Sequence, residues 1–409
     1  MSSDRKKWSI RSSDVAKRAH NPIRQIVDKL KLDPKATKEF ISLSVGDPTI
    51  FGNFNVDKSA NEAIVHQLNT FKANGYPPAH GTLAARQAIA TKFGVPEAPL
   101  TANDVIVANG CSGALEMCLN VLCDRGQNIL LPRPGFPLYA SLAETRYVET
   151  KYYDLVPEKN WEVDVVQLEK LIDSKTACIL VNNPSNPCGS VYSKEHLKAI
   201  LAVASKHHVP IIADEIYWDL VFKGNTFYPM ATLTTDVPIL SVGGLAKKWM
   251  VPGWRVGWIT VHDRHGAFAE ILEGLLNLSQ IILGPNSVIQ AALPEILLKT
   301  PESYYAGNIK QLELNTKISV DAVSKIPGLS PVKPQGAMYM MVGIDIPKFK
   351  DISSDVEFSQ KLMAEESVLC LPGECFNYPN YIRIVITPTV DRLEEAYKRM
   401  ALFCARHHK

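Results

Sequence analysis

The sequence predicts an open, mainly parallel α/β sheet followed by a smaller α+β region. Three observations carry this. The middle of the 409-residue chain alternates short apolar runs with amphipathic stretches. Several of those runs are continuously apolar, as expected of parallel strands covered on both faces. Toward the C-terminus the alternation gives way to long polar–apolar helices separated by isolated strands.

Candidate strands of the first region cover residues 105–108, 128–131, 177–181, 209–213, 239–242 and 256–261. A helix is expected over 193–207, where Leu197, Ile200, Leu201 and Ala204 share one face and Ser193 stands as N-cap. A second is expected over 115–122, after a turn of small residues. The later region reads as a helix over 301–325, a strand region over 336–343, a helix near 356–367, a strand over 381–386 and a helix from about 390. The expected division is an N-terminal arm with part of a small domain over 1–54, a large domain over 55–320 and a C-terminal small domain over 321–409. Segment 24–47 is expected to join the small domain, since chain ends often meet.

Composition narrows the function. With 46% hydrophobic residues the chain buries a large core. A net charge of +2 suggests no nucleic-acid partner. No run of about 18 apolar residues exists, so no membrane span is expected. The eight cysteines form no C-x-x-C and pair with no histidine at zinc spacing, so they read as free thiols of a reducing compartment, without a metal. The basic start, with Arg5, Lys6, Lys7, Arg11, Lys17 and Arg18, also carries Asp4 and Asp14. It reads as a solvated arm; the acids disfavour a mitochondrial transit peptide, and a cytoplasmic location is expected.

Polar residues gather just beyond the expected strand ends, where ligands of such sheets sit. Lys247 lies eight residues before Arg255, in a segment rich in Gly and Trp. A lysine amine forms a Schiff base with an aldehyde cofactor, and a permanently charged arginine binds its phosphate. Acting together, they point to pyridoxal 5'-phosphate (PLP). Asp214, at a strand end, suits a metal, a base role, or a partner for a protonated pyridine nitrogen. Tyr217 follows three residues later and suits a phenolic oxygen. Asn186, in Asn182-Asn183-Pro184-Ser185-Asn186-Pro187, projects from a loop of forced turns. The turn Gly110-Cys111-Ser112-Gly113 opens a helix and forms an anion site from backbone N–H groups and the helix dipole. Phe136 suits stacking on a ring or ordinary packing. Arg383, inside an otherwise apolar strand, requires a partner: a substrate carboxylate or a structural ion pair.

In this order the residues resemble fold-type I PLP aminotransferases. The resemblance runs from about Asn21 to the C-terminus. The phrases Asn21-Pro22-Ile23-Arg24, Ser44–Thr49, Pro132–Phe136, Asn182–Ser190 and Gly243–Trp258 are similar to the eukaryotic tyrosine-specific branch. The resemblance implies a large domain with a mainly parallel seven-stranded sheet and a smaller α+β domain. It implies that Lys247 bonds the cofactor; that Arg255, Ser112 and the Cys111 amide hold its phosphate; that Asp214 pairs with the ring nitrogen; that Asn186 and Tyr217 contact the phenolic oxygen; and that Phe136 stacks. Arg383, with the backbone at Gly46, then binds the substrate α-carboxylate. Tyr76 matches a tyrosine that reaches the phosphate of a neighbouring subunit, which implies a homodimer with shared active sites. The eight-residue spacing selects Lys247 over Lys248.

Two departures from the pattern stand out. Gly244 occupies a position where many relatives place a phosphate-binding serine, although the tyrosine-specific branch shares the glycine. Cys111 replaces a common glycine, which requires a negative φ there. The implied reaction is ping-pong transfer of an amino group from an aromatic amino acid, tyrosine favoured and phenylalanine next, to a 2-oxo acid such as 2-oxoglutarate. Alanine, kynurenine or broad aminotransferase activity is the alternative, followed by a lyase on the same fold. A DNA-binding regulator lacks room for its extra domain, and no G-x-G-x-x-G follows a strand as a dinucleotide enzyme requires.

Overall fold

A computed structural model describes residue 8, residues 10–27 and residues 38–409. Arg5, Lys6 and Lys7 of the expected arm, and residues 28–37 of the segment expected to join the small domain, lie outside the described residues.

The large sheet is built from β1 (Val105–Asn109), β2 (Asn128–Arg133), β3 (Glu149–Val156), β4 (Glu162–Val163), β5 (Thr176–Asn182), β6 (Ile211–Asp214), β7 (Ile239–Gly244) and β8 (Val256–His262). Their order is β1-β8-β7-β6-β5-β2-β3-β4. The run from β7 to β3 is parallel, whereas β8 is antiparallel to both of its neighbours. The sheet has one strand more than the seven expected. The addition, β4, is a two-residue edge strand antiparallel to β3.

Alternate residues enter opposite layers, as a pleated strand requires. Ile129, Leu131, Leu180, Ile212 and Leu240 pack with the helices Gly110–Leu122, Leu138–Thr145 and Ala269–Ile282. Leu130, Ile179, Val181, Ile211 and Ile239 pack on the other face with Val165–Leu171 and Lys194–His207. Burying each such side chain contributes about 1.5–3 kcal/mol. The Ser193 side chain accepts from the His196 N–H and caps the helix as its sequence predicts.

Some boundaries differ from expectation. Strand β6 starts at Ile211 because Pro210 has no N–H for the ladder; its carbonyl accepts from Ile179 instead. The helix after β1 starts at Gly110, five residues early, so the small-residue turn is its first turn. The strand Glu149–Val156 and the helices Lys58–Thr70, Leu83–Phe93 and Ser287–Lys299 escape the pattern reading. The strand mixes charged and aromatic residues, and Ser287–Lys299 carries Pro294 in its interior.

The smaller sheet holds β9 (Leu329–Pro331), β10 (Tyr339–Ile344), β11 (Leu371–Pro372) and β12 (Tyr381–Val385), antiparallel in the order β9-β10-β12-β11. Helices Glu302–Val323, Asp355–Glu366 and Val390–His407 share its core. Ile41–Ser42 pairs in parallel with Val368–Leu369, and the Leu43 carbonyl accepts from Val385. Early residues are thereby stitched into the C-terminal sheet. Tyr217, just past β6, and Tyr339, on β10, lie in one continuous apolar core with the smaller sheet.

Candidate active site

Asp214 closes β6 in register with Asn182 of β5, and it is 3% exposed. Its Oδ2 accepts from the Tyr139 hydroxyl at 2.6 Å. Its Oδ1 accepts from the Ile216 N–H at 3.1 Å and from the Cys111 thiol at 3.7 Å. Burial raises the carboxyl pKa, and these donors, with the charge of Lys247, offset only part of that rise. Tyr139 is a site residue that sequence reasoning missed. The available signal was its position three residues after Phe136, whose ring meets it edge-on at 5.6 Å. Glu215 takes other partners: its Oε1 accepts from the Met230 N–H at 2.8 Å. Among the described residues no group of His, Cys, Asp and Glu is placed to hold a metal ion.

The two lysines separate. The Lys247 Nζ donates to the Gly46 carbonyl at 2.6 Å and lies 5.9 Å from the Tyr217 ring centre. Lys248 is buried elsewhere, 3.4 Å from Asp219 Oδ2 and 4.8 Å from the Tyr305 ring centre. Burial lowers its pKa. It lines a small cavity with Glu215, Trp249 and Trp258, away from Asp214.

The phosphate turn combines a helix end with an arginine. Gly110 takes φ +66°, and Cys111 is not among the positive-φ residues, so its side chain brings no strain. Asn109 at the N-cap makes no side-chain hydrogen bond to the first-turn amides. Those donors are open to an anion, with Ser112 exposed beside them. The Arg255 guanidinium lies against Gly110: a β-carbon there would stand 2.4 Å from its Nη2. A β-carbon on Gly257 would stand 2.4 Å from the Gly110 carbonyl carbon and 2.5 Å from the Cys111 nitrogen. Strand β8 thus presses its backbone onto the turn. Gly244 has a steric reason of its own, because a side chain there would meet the Val256 carbonyl at 2.9 Å. A hydroxyl-bearing side chain at this position would be crowded by that carbonyl.

On the facing side, Arg383 sits in β12 between Met341 and Leu371. Its Nη1 donates to Asn186 Oδ1 at 2.9 Å, and its Nη2 donates to the Ser44 carbonyl. Its Nε is buried with no partner, so that N–H is left for a ligand. The ion-pair reading does not hold, because both observed partners are neutral acceptors. Burial lowers the pKa of this guanidinium. Asn186 is held by its own loop: its N–H donates to Asn182 Oδ1 at 2.7 Å, and the Asn182 amide donates to the Asp214 carbonyl at 3.0 Å.

Tyr217 and Asn186 therefore do not meet each other directly. The Tyr217 hydroxyl bonds that of Tyr339 at 2.9 Å. Tyr339 is the second residue that sequence reasoning missed; nothing in its strand pattern marks it. Burial pushes its phenol up, but Lys247, Arg383 and the Tyr217 bond outweigh this and the net shift is downward. Tyr76 stands apart from these groups. It is 91% exposed, on a loop beside Ile282 and Leu283.

The arrangement suits PLP. An anion seat, a buried carboxylate near an amine and a guanidinium with a spare donor match its phosphate, its ring nitrogen, its aldehyde and a carboxylate substrate in turn.

Comparison with known proteins agrees. The family model for aminotransferase class I and II matches residues 38–400. Tyrosine aminotransferase of Homo sapiens is 54% identical over 98% of this chain and 89% of its own length. The Dictyostelium discoideum protein of the same name is 49% identical over 99% of this chain and 98% of its own. The crystal structure of tyrosine aminotransferase from Leishmania infantum superposes with a TM-score of 0.94 at 35% identity, covering 98% of this chain and 100% of that one. The chain belongs to the aminotransferase class I and II family.

Proposed function

We propose that this chain is a PLP-dependent aminotransferase that moves the amino group of tyrosine, and also of phenylalanine, to a 2-oxo acid such as 2-oxoglutarate. One observation carries the reading. The Lys247 amine, the Asp214 carboxylate and the Arg383 guanidinium come from three separate elements and converge around Tyr217 and Tyr339. The relatives named tyrosine aminotransferase support the substrate.

PLP supplies an aldehyde that bonds an amine and a ring that takes up the electrons left when Cα loses its proton. The residues supply the rest. Arg383 orients the amino acid through its carboxylate, with the Asn186 amide beside it. The Lys247 amine takes and returns the Cα proton. Asp214, held by Tyr139, keeps a proton on the ring nitrogen. Arg255, Ser112 and the first-turn N–H groups would hold the phosphate, and Phe136 would stack on the ring. Tyr217 would donate to the phenolic oxygen.

We further infer a homodimer in which Tyr76 reaches the partner's phosphate seat. The exposure of Tyr76 together with Phe71, Ile281 and Ile282 supports this. The eight free thiols suit a cytoplasmic location.

The test is a half-reaction. Tyrosine should bleach the absorbance of the Lys247-linked cofactor, and 2-oxoglutarate should restore it. Lys247→Ala should abolish that absorbance and turnover, while Lys248→Ala should keep both. Normal turnover in Lys247→Ala refutes the assignment, and product formation from tyrosine without lasting bleaching favours a lyase.

A further inference from the structure

Tyr339 has more contacts to the site than its place in a strand accounts for. Its hydroxyl lies 2.9 Å from that of Tyr217, and the ring is 1% exposed. Arg383 lies 4.5 Å from the ring centre on one side. Gly46, whose carbonyl accepts from Lys247, approaches so closely that a β-carbon there would stand 2.5 Å from the Tyr339 hydroxyl oxygen. The titratable and charged groups against this phenol are Tyr217, Lys247 and Arg383. Two of them are cations, so Tyr339 gives up its proton in a hydrogen bond more readily than an ordinary phenol.

A hydroxyl pair of this kind has one donor and one acceptor at a time. Tyr217 has its own proton to place on the cofactor's phenolic oxygen. Its oxygen is then the acceptor, and Tyr339 is the donor. A phenol that accepts a hydrogen bond is a better donor in turn, because successive bonds polarise one another.

We propose that Tyr339 is a positioning residue that donates to the Tyr217 oxygen and thereby aims and strengthens the bond from Tyr217 to the cofactor's phenolic oxygen. This rests on the aminotransferase reading above. The role acts through Tyr217, and the Tyr339 ring keeps its separate packing against Arg383.

The experiment is a pH titration of the absorbance of the Lys247-linked cofactor in four dimeric holoenzymes: wild type, Tyr339→Phe, Tyr217→Phe and the double variant. The bond from Tyr217 favours the ionised phenolic oxygen, so weakening it raises the titration midpoint. Tyr339→Phe should raise the midpoint by about half a unit to one unit. Tyr217→Phe should raise it further, and the double variant should titrate with Tyr217→Phe alone. Binding of the unreactive 3-phenylpropionate should stay within about twofold in Tyr339→Phe, because the ring beside Arg383 is kept. An unmoved midpoint in Tyr339→Phe overturns the proposal, as does a shift that persists in full when Tyr217 is already Phe. Loss of 3-phenylpropionate binding with an unmoved midpoint also overturns it and leaves Tyr339 as a support for Arg383. If the wild type takes up no cofactor at Lys247, the aminotransferase reading itself falls, and this proposal falls with it.

Discussion

Replacing Glu215 with Gln should make the protein more stable in neutral and alkaline solution and leave acid stability almost unchanged. Glu215 is 4% exposed, and burial, reinforced by the neighbouring Asp214 charge, raises its carboxyl pKa from 4.5 to about 7. The folded protein therefore holds this proton to higher pH than the unfolded chain does. Stability falls as pH rises between the two values, because ionisation then costs more in the folded state. Two and a half units correspond to roughly 2 to 4 kcal/mol once both states are ionised. Gln keeps an oxygen for the Met230 N–H and cannot ionise. Unfolding of both proteins by urea at about pH 5 and about pH 8 checks this, with the variant's advantage several times larger at the higher pH. An equal difference at the two pH values refutes the reasoning, since packing alone is then at work.

Other predictions concern the site. Tyr139→Phe removes a bond that favours ionised Asp214, so the pKa of that carboxyl should rise further; the acid limb of the kcat/KM profile should move to higher pH. Arg383→Lys keeps the charge but loses the planar fork, and KM for tyrosine should rise about 10- to 100-fold in steady-state assays. Gly257→Ala drives a β-carbon into the backbone of Gly110 and Cys111, which cannot yield as a side-chain tip does. Cofactor affinity measured by equilibrium dialysis should fall by about tenfold or more.

Much of this was legible in the sequence because strand ends, helix starts and turns are local events. The Lys247–Arg255 spacing, the small-residue turn and the Asn-Pro loop each announce themselves within ten residues. The helix start at Gly110 was misjudged only because glycine is a poor helix former in isolation. Tyr339 and Gly257 were not legible, and Tyr139 was marked only by its spacing from Phe136. Each works through a residue far away in the chain: Tyr139 through Asp214, Tyr339 through Tyr217, and Gly257 through Gly110. An aromatic in a strand or helix looks the same whether it packs or donates. Gly244 looked like a missing hydroxyl until the Val256 carbonyl was seen to fill the space.

The contact of Gly257 with the phosphate turn also bears on when the site comes into being. Strand β8 pairs with β1 along the whole length of β1, although about 150 positions separate them in the chain. The first turn of the Gly110–Leu122 helix can form early from its own residues. Arg255 arrives at that turn only when β8 docks, and β8 lies between β1 and β7. The anion seat is therefore completed by one of the longest-range pairings in the sheet. A bound phosphate would report that the large sheet has closed, and cofactor capture would be among the last events of folding rather than a nucleus for it.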